Sequence, residues 1–399
     1  MWRMESARLV AGLVRLVRDV GMAEELAQDA LVAALEQWPE TGTPRNPGAW
    51  LMAVAKRRAV DQFRRRETLD RKYLEIARDL ETEVPEPTAG EIRDDLLRLI
   101  FTACHPVLSA EARVALTLKL LGGLKTEEIA RAFLVGESTV AQRLVRAKKA
   151  LAKADVRYEV PSGPELAGRL ASVLEVIYLI FNEGYSATAG DDLMRPELCA
   201  DAQRLGRVLA RLMPREPEVH GLVALMEIQA SRAGARVDAN GEPVLLLEQD
   251  RTRWNRLLIG LGLDALEKAE RLGPRGPYTA QAAIAACHAR AARPEDTDWA
   301  RIADLYAELA SVNPSPVVEL NRAVALSMAH GPQAGLDLVD ALAGEPALSR
   351  YHLLPTVRGD LLVKLGRPAE ARAEFERAAG LTRNTRERAL LLDRAAACG

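Results

Sequence analysis

The sequence predicts an all-α protein built from more than one domain. Aromatic residues make up only 4% of the chain while Ala and Leu abound, a balance that favours helix over sheet. Apolar residues recur at helical spacing in successive blocks, and Pro- and Gly-containing stretches separate the blocks. The 399 residues also exceed what one core holds, since cores rarely grow beyond roughly 250 residues.

Residues 1–66 read as helical blocks on either side of a loop at Pro39 to Pro47, "PETGTPRNP", because the residue before each proline disfavours the α conformation. Residues 67–90 begin as a charged helix and end in "ETEVPEPTAG", an acidic stretch with too little apolar content to pack, so the segment is expected to be a flexible linker. A second helical unit occupies 91–155, and "VPSGP" at 160–164 breaks the chain again. The remainder, 156–399, is helix after helix, beginning with "LASVLEVIYLIFNEGY", whose lack of polar alternation predicts a fully buried helix.

Near the C-terminus, "GDLLVKLGRPAEARAEFERAAGL" puts Gly359, Gly366, Ala371, Phe375 and Ala378 where a tetratricopeptide repeat places small and large residues between its two helices. "NRAVALSMAHGPQAGLDLVDAL" echoes it loosely, with Gly331 one repeat length before Gly366. A degenerate helical-hairpin array is expected. Such an array buries a shared core and presents a groove, which suits a regulatory or docking domain as well as plain structural support.

The formal net charge is only −2, so a nucleic-acid surface must be local. Between residues 21 and 40 stand Glu24, Glu25, Asp29, Glu36 and Glu40 with no Lys or Arg, whereas 41–66 carry seven cations against Asp61 alone. Adjacent blocks of opposite sign suggest two partners. The four cysteines lie far apart with no CxxC pair and are expected to be buried thiols of a reducing cytosol. No apolar leader follows Met1, and the greasiest run, Val176 to Phe181, is far shorter than the ~20 residues of a membrane span. A soluble, cytoplasmic protein without a membrane partner is expected.

"TEEIARAFLVGESTVAQRLVRAKKAL", 126–151, joins two helical patterns by a short turn. Thr126 is a candidate cap, with Glu127 and Glu128 at the positive end of the dipole. Ile129, Ala130 and Phe133 supply a buried face, and "LVGE" with Gly136 makes the turn, although Leu134 sits where many such turns carry glycine. In the second helix Val140, Leu144, Ala147 and Leu151 form one stripe. Thr139, Gln142, Arg143, Arg146, Lys149 and Lys153 gather roughly opposite. A cationic, hydrogen-bonding face free of large apolar groups fits the major groove, where Arg and Gln meet base edges. The plainer alternative is a solvated amphipathic helix.

The same projection of 46–66 puts Trp50, Val54, Arg57, Arg58, Asp61, Arg64 and Arg65 on one arc, and Met52, Ala55, Ala59 and Phe63 on the other. An aromatic beside arginines can hold an opened strand, by stacking on bases and neutralising the backbone. Equally, Trp50 could anchor the core while the arginines are merely solvated. The preceding "EELAQDALVAALEQW" reads as an acidic amphipathic helix suited to a protein partner.

In this order, "AEELAQDALVAALEQW", "PGAWLMAVAKRRAVDQFRRR" and "LKTEEIARAFLVGESTVAQRLVRAKKAL" resemble an extracytoplasmic-function (ECF) sigma factor of RNA polymerase. "IYLIFNEGYSAT", "DANGEPVLLLEQDR" and "GDLLVKLGRPAEARAEFERA" resemble the subgroup with a C-terminal tetratricopeptide-like extension. The start at "MWRMESARL" departs from the pattern, with a shortened first helix or a misassigned start codon as the expectation.

The resemblance implies region 2 at 1–66, region 4 at 91–155 and a regulatory extension at 156–399 that replaces a separate anti-sigma protein. It implies that Glu25, Leu26, Gln28 and Asp29 grip the β′ clamp helices of core RNA polymerase, and that region 4 meets the β flap. By the same resemblance Asn46, Trp50, Arg57, Arg58, Asp61 and Arg64 recognise and melt the −10 element, while Thr139, Gln142, Arg143, Arg146 and Lys149 read the −35 element. No cofactor is implied, and phosphodiester synthesis belongs to the core enzyme. The rival classes are a helix-turn-helix regulator with a helical sensor domain and a tetratricopeptide scaffold.

Other signals carry less. "DANGE" has its glycine two places early for a calcium loop and lacks the twelfth-position Glu, so a turn is expected. Cys104-His105 and Cys287-His288 are adjacent pairs, which rarely share one tetrahedral ion. No phosphate-cradling Gly loop and no Ser-His-Asp set is visible.

Overall fold

A computed structural model describes residues 2–66, 89–133, 135–187, 193–238 and 242–399. Of the linker expected at 67–90, residues 67–88 lie outside these residues, as do the turn residue Leu134 and the centre of "DANGE", while Ala89 and Gly90 already belong to the helix Ala89–Ala103. Among the described residues the chain is all-α, with one isolated bridge between Val237 and Pro243. It divides into two compact units, Met1–Leu179 and Ile180–Gly399.

The first unit opens with α1 (Trp2–Val17), whose Leu9, Val10, Leu13 and Val14 form one buried face. Asp19 then caps α2 (Val20–Thr41), its side chain accepting from the Met22 N–H at 2.7 Å. The helix runs through Pro39, contrary to the expected loop from that residue. A proline in the last turn forfeits a single ladder bond, and the Gly42 N–H closes the end on the Trp38 carbonyl at 2.9 Å with Gly42 at φ +81°. The connecting loop is therefore only about 42–46. Helix α3 (Pro47–Arg66) starts on a proline whose fixed φ suits the first turn, and Asn46 accepts from the Ala49 N–H at 3.2 Å.

Helices α4 (Ala89–Ala103) and α5 (Ala110–Thr117) follow, the latter capped by Ser109 and running into a π-helical turn at Leu118–Gly122. After it Gly123 takes a left-handed φ of +69°, the conformation glycine adopts without strain. Next come α6 (Thr126–Ala132) and α7 (Glu137–Lys153). Helix α1 packs on α4 and on the π turn, so the N-terminal helices and the helix-turn-helix share one core. Tyr158 fastens the two, its hydroxyl lying 2.8 Å from each of the carbonyls of Ala11 and Asp95 with its one proton to share between them. Asp95, 3% exposed, also pairs with Arg15 at 3.0 Å.

Helix α8 (Pro164–Tyr185) is not fully buried as expected. Ala171, Glu175 and Leu179 line an exposed stripe, one every four residues. Its early turns belong to the first unit, where Ser172 donates to the Cys104 carbonyl at 2.7 Å and Arg169 to that of Phe101 at 3.0 Å. The carboxylate of Glu175 meets Arg113 at 2.9 Å, which explains why a charge interrupts so apolar a sequence.

The second unit stacks helices α9 (Pro196–Leu212), α10 (Pro217–Ala230), α11 (Arg256–Leu272), α12 (Pro277–Arg290) and α13 (Trp299–Val312). Hairpins follow: α14 (Pro316–His330) with α15 (Pro332–Ala341), and α16 (Leu353–Lys364) with α17 (Pro368–Leu381), before the final α18 (Thr385–Ala396). The repeat glycines occupy the turns, Gly331 at φ +98° and Gly366 at φ +73°. Gly359 is small because the Phe375 ring lies against it: a Cβ there would stand 2.7 Å from a ring carbon. Phe375, Ala371 and Ala378 are buried in the core of that hairpin, and a phenylalanine so buried contributes about 1.5–3 kcal/mol.

The cysteines are all free, but only Cys104 is buried; Cys199, Cys287 and Cys398 are half-buried, which corrects the expectation of four buried thiols. Burial pushes the Cys104 thiol up to about 11. Each histidine of the Cys-His pairs has its own duty, His105 accepting from the Val107 N–H at 3.1 Å and His288 packing edge-on against Trp299. At "DANGE" the N–H of Asp238 donates to the Glu242 carbonyl at 3.0 Å, and the Glu242 N–H donates to the Asp238 carboxylate at 2.8 Å. No described helix is long and apolar enough to cross a membrane.

Candidate nucleic-acid interface

The helix-turn-helix assembles as its periodicity dictates. Thr126 is the first residue of α6 and does not cap it: Lys125 holds the cap position, and the Glu128 carboxylate accepts its N–H at 2.6 Å. The reciprocal half of a capping box suffices because Glu reaches back where Thr lies one residue too late. Ile129 and Ala130 are buried, Phe133 half-buried, and the Val135 N–H bonds the Ala130 carbonyl at 3.0 Å to turn the chain.

On α7, Val140, Leu144, Ala147 and Leu151 are all buried and fix the rotation of the helix. That rotation exposes Thr139, Gln142, Arg146 and Lys149 and leaves Arg143 half-exposed. These five side chains therefore share the solvent face that the sequence assigned to them. Four of them, Thr139, Gln142, Arg143 and Arg146, line a groove of about 400 Å³ whose other wall is the start of α5 at Ser109 and Glu111. Hydrogen bonds from its own N–H and from Ser109 hold the Glu111 carboxyl below the usual carboxylate range, and Arg143 adds to this. Glu111 was not legible as part of this face, because only the fold brings α5 beside α7.

The second surface lies on α2 and α3. Leu51, Ala55, Ala59 and Phe63 are buried, so Arg57 and Asp61 are exposed and Trp50, Val54 and Arg58 half-exposed. Trp50 packs edge-on against Trp38, ring centres 5.4 Å apart, so it is neither sealed in the core nor free. Sequence projection of α3 alone could not find Trp38, which α2 supplies. Asn46 caps α3 while its side chain remains at the surface. Arg57 folds back on the Ala53 carbonyl at 3.4 Å, and Arg58 meets Asp29 of α2 at 3.4 Å. Arg64 lies on α3, and its side chain is outside the described residues.

Of the four residues assigned to a protein partner, Glu25, Gln28 and Asp29 are exposed on α2. Leu26 is not: at 2% exposure it belongs to the core, because a helical step of 100° carries it to the opposite face from Gln28. In its place Val32 and Leu35, 50% and 75% exposed, extend the acidic stripe with apolar surface. Their spacing from Glu25 and Gln28, by sevens, was the signal in the sequence.

Residues 1–68 match the family model for sigma-70 region 2, residues 98–151 that for sigma-70 region 4, and residues 169–270 a family of unknown function, DUF6596. An uncharacterized protein of Rhizobium meliloti is 47% identical over 387 residues, 96% of this chain and 91% of that protein. The ferric citrate uptake sigma factor FecI of Escherichia coli is 33% identical over 141 residues, 35% of this chain and 79% of its own length. The ECF RNA polymerase sigma factor SigK of Mycobacterium ulcerans is 31% identical over 150 residues, 36% of this chain and 77% of its own.

Proposed function

Because this chain belongs to the family of extracytoplasmic-function sigma factors of RNA polymerase, we propose that two separate surfaces of its first unit read one promoter while α2 holds the polymerase. Region 4, at 91–155, reads the −35 element through Thr139, Gln142, Arg143, Arg146 and Lys149 and touches the β flap. Region 2, at 1–66, engages the −10 element through Asn46, Trp50, Arg57, Arg58, Asp61 and Arg64. Its Trp50 supports an opened strand by stacking, so that binding offsets a few kcal/mol of unstacking. The observation that carries this reading is the face of α7, where all five polar groups meet solvent and four of them, Thr139, Gln142, Arg143 and Arg146, line one groove.

The exposed stripe of Glu25, Gln28, Asp29, Val32 and Leu35 supports docking on the β′ clamp helices, since mixed acidic and apolar surface suits a protein partner. The chain contributes binding, and bond formation belongs to the core enzyme. The segment 67–88 serves as the tether that lets two weak contacts act together. Reading both elements asks the packed pair of regions to part on the polymerase. The extension, 156–399, regulates that step in place of a separate inhibitor.

Competition for core RNA polymerase tests the docking surface. The double variant Glu25→Lys/Asp29→Lys is expected to lose core binding by about tenfold or more while keeping its helical content. Unchanged affinity would remove α2 from the polymerase contact.

A further inference from the structure

A pocket of about 380 Å³ lies within the second unit, between Tyr185, the segment around 232–249, and helices α16 and α18. Its size is that of a small-molecule site. Leu193, Val244, Leu246, Leu353, Leu390 and Leu391 give it an apolar wall. Two guanidinium groups converge at one side on the Tyr185 ring, Arg236 at 3.8 Å and Arg232 at 5.9 Å from its centre. Arg236 also donates to the Tyr185 carbonyl.

Several arginines elsewhere in this unit have carboxylate partners. Arg207 meets Glu227 at 2.6 Å, Arg358 meets Asp340 at 2.8 Å, Arg386 meets Glu242 at 2.7 Å, and Arg394, at the pocket's far side, is held by Asp360. Arg232 and Arg236 have none among the described residues. Glu387 faces them, but its carboxylate already accepts from the Thr382 hydroxyl at 2.8 Å and lies 3.4 Å from His352 Nε2. Burial, with Arg232 nearby, pulls the Arg236 guanidinium below its usual range. Two more groups are left over: Arg232 Nε is buried without a hydrogen-bond partner, and Gln249 donates to the Val244 carbonyl at 3.1 Å while its Oε1 stays buried and unmatched.

Half-buried cations beside an apolar wall with no carboxylate partner leave room for a counter-charge, and a buried polar atom left unmatched is unfavourable. An anion of the right shape would relieve all of these at once. We propose that this pocket binds a small organic acid: its carboxylate bridges Arg232 and Arg236, its hydrogen-bond donor meets Gln249 Oε1, and its apolar body lies along the leucine wall. An N-acyl amino acid has these three parts in one molecule. The binding is independent of the transcription reading.

Calorimetric titration of the full chain with N-hexanoyl-leucine, its neutral carboxamide and inorganic phosphate tests the proposal. The acid is expected to bind at one saturable site, with the carboxamide weaker by about tenfold or more, as the loss of a charge-assisted contact dictates. Phosphate, which has no apolar body, is expected to bind weakly or not at all. Arg232→Gln should lose about tenfold in affinity for the acid while unfolding at the parent temperature. Because Arg236 also supports the Tyr185 carbonyl, Leu246→Trp serves as the second variant, filling the apolar wall and abolishing binding with both arginines intact. The proposal is overturned if acid and carboxamide bind alike, if phosphate binds better than the acid, if Arg232→Gln or Leu246→Trp binds as the parent does, or if no saturable binding of the acid is found.

Discussion

Glu24 of α2 brings a carboxylate oxygen to 2.5 Å from Nζ of Lys148 on α7, and the Lys119 ammonium stands 3.7 Å from its other oxygen. The carboxylate is 9% exposed and the two lysines 23% and 15%, so the cluster is largely screened from water by its own surroundings. One acidic side chain thus ties the helix assigned to polymerase to the helix assigned to DNA. Removing it leaves two half-buried cations facing each other. We expect Glu24→Gln to lower the stability of the free protein by about 1–3 kcal/mol in urea unfolding. If opening on the polymerase is required, Lys148→Met should raise affinity for core by up to about tenfold, because the contact no longer taxes the open state. Unaltered stability in Glu24→Gln would show the cluster to be incidental.

For α7, the expected losses differ by residue. Arg143→Ala should cost about 1–3 kcal/mol and relax base preference at one −35 position, measured by competition between promoters substituted base by base. Lys149→Ala should weaken all sequences alike and reduce the salt slope by about one. If both variants behaved as Lys149→Ala is expected to, Arg143 would be a phosphate contact and not a base reader.

Trp50→Ala should impair strand opening more than initial promoter binding, followed with a fluorescent base in the −10 element. The variant also loses the edge-on pair with Trp38, worth about 0.5–1.5 kcal/mol, which stability measurement separates from the opening defect. Equal loss at both steps would deny Trp50 its strand-holding part.

Two glycines should respond oppositely to Ala. At Gly359 the new methyl meets the Phe375 ring at 2.7 Å, so a loss of about 1–3 kcal/mol is expected. At the exposed Gly260 of α11 nothing lies within 4 Å, and relief of backbone freedom should stabilise by about 0.5–1 kcal/mol. Thermal unfolding of the pair checks both signs.

Burial holds His288 down to about 4 from its ordinary 6.5, with Arg232 and Arg251 adding to the effect. The unfolded chain therefore binds a proton that the folded chain refuses between about pH 6.5 and 4, and stability falls as pH is lowered through that window. His288→Leu should flatten this part of the pH profile in urea titrations. A profile as steep as the parent's would place the pH sensitivity elsewhere.

What the sequence disclosed depended on how local the determinant was. The buried stripe of α7 and the glycine turns at 331 and 366 follow from spacing within one helix or hairpin, and the structure has them where the pattern put them. Pro39 misled because the rule for prolines says where a helix weakens, not that its last turn must end. Leu26 came into the polymerase-facing group through the family resemblance, though the helical step turns it away from Gln28 and into the core. Glu24 with Lys148, Trp38 with Trp50 and Glu111 with Arg143 are tertiary meetings, which periodicity within one element cannot reveal.

The central claim, that one chain supplies both the promoter-reading surfaces and the polymerase grip, is tested most directly by run-off transcription with purified core enzyme and this protein alone. Initiation at a defined start site is expected, and it disappears when Arg143 and Arg146 are both replaced by Ala. Transcripts that form only after another sigma factor is added would contradict it.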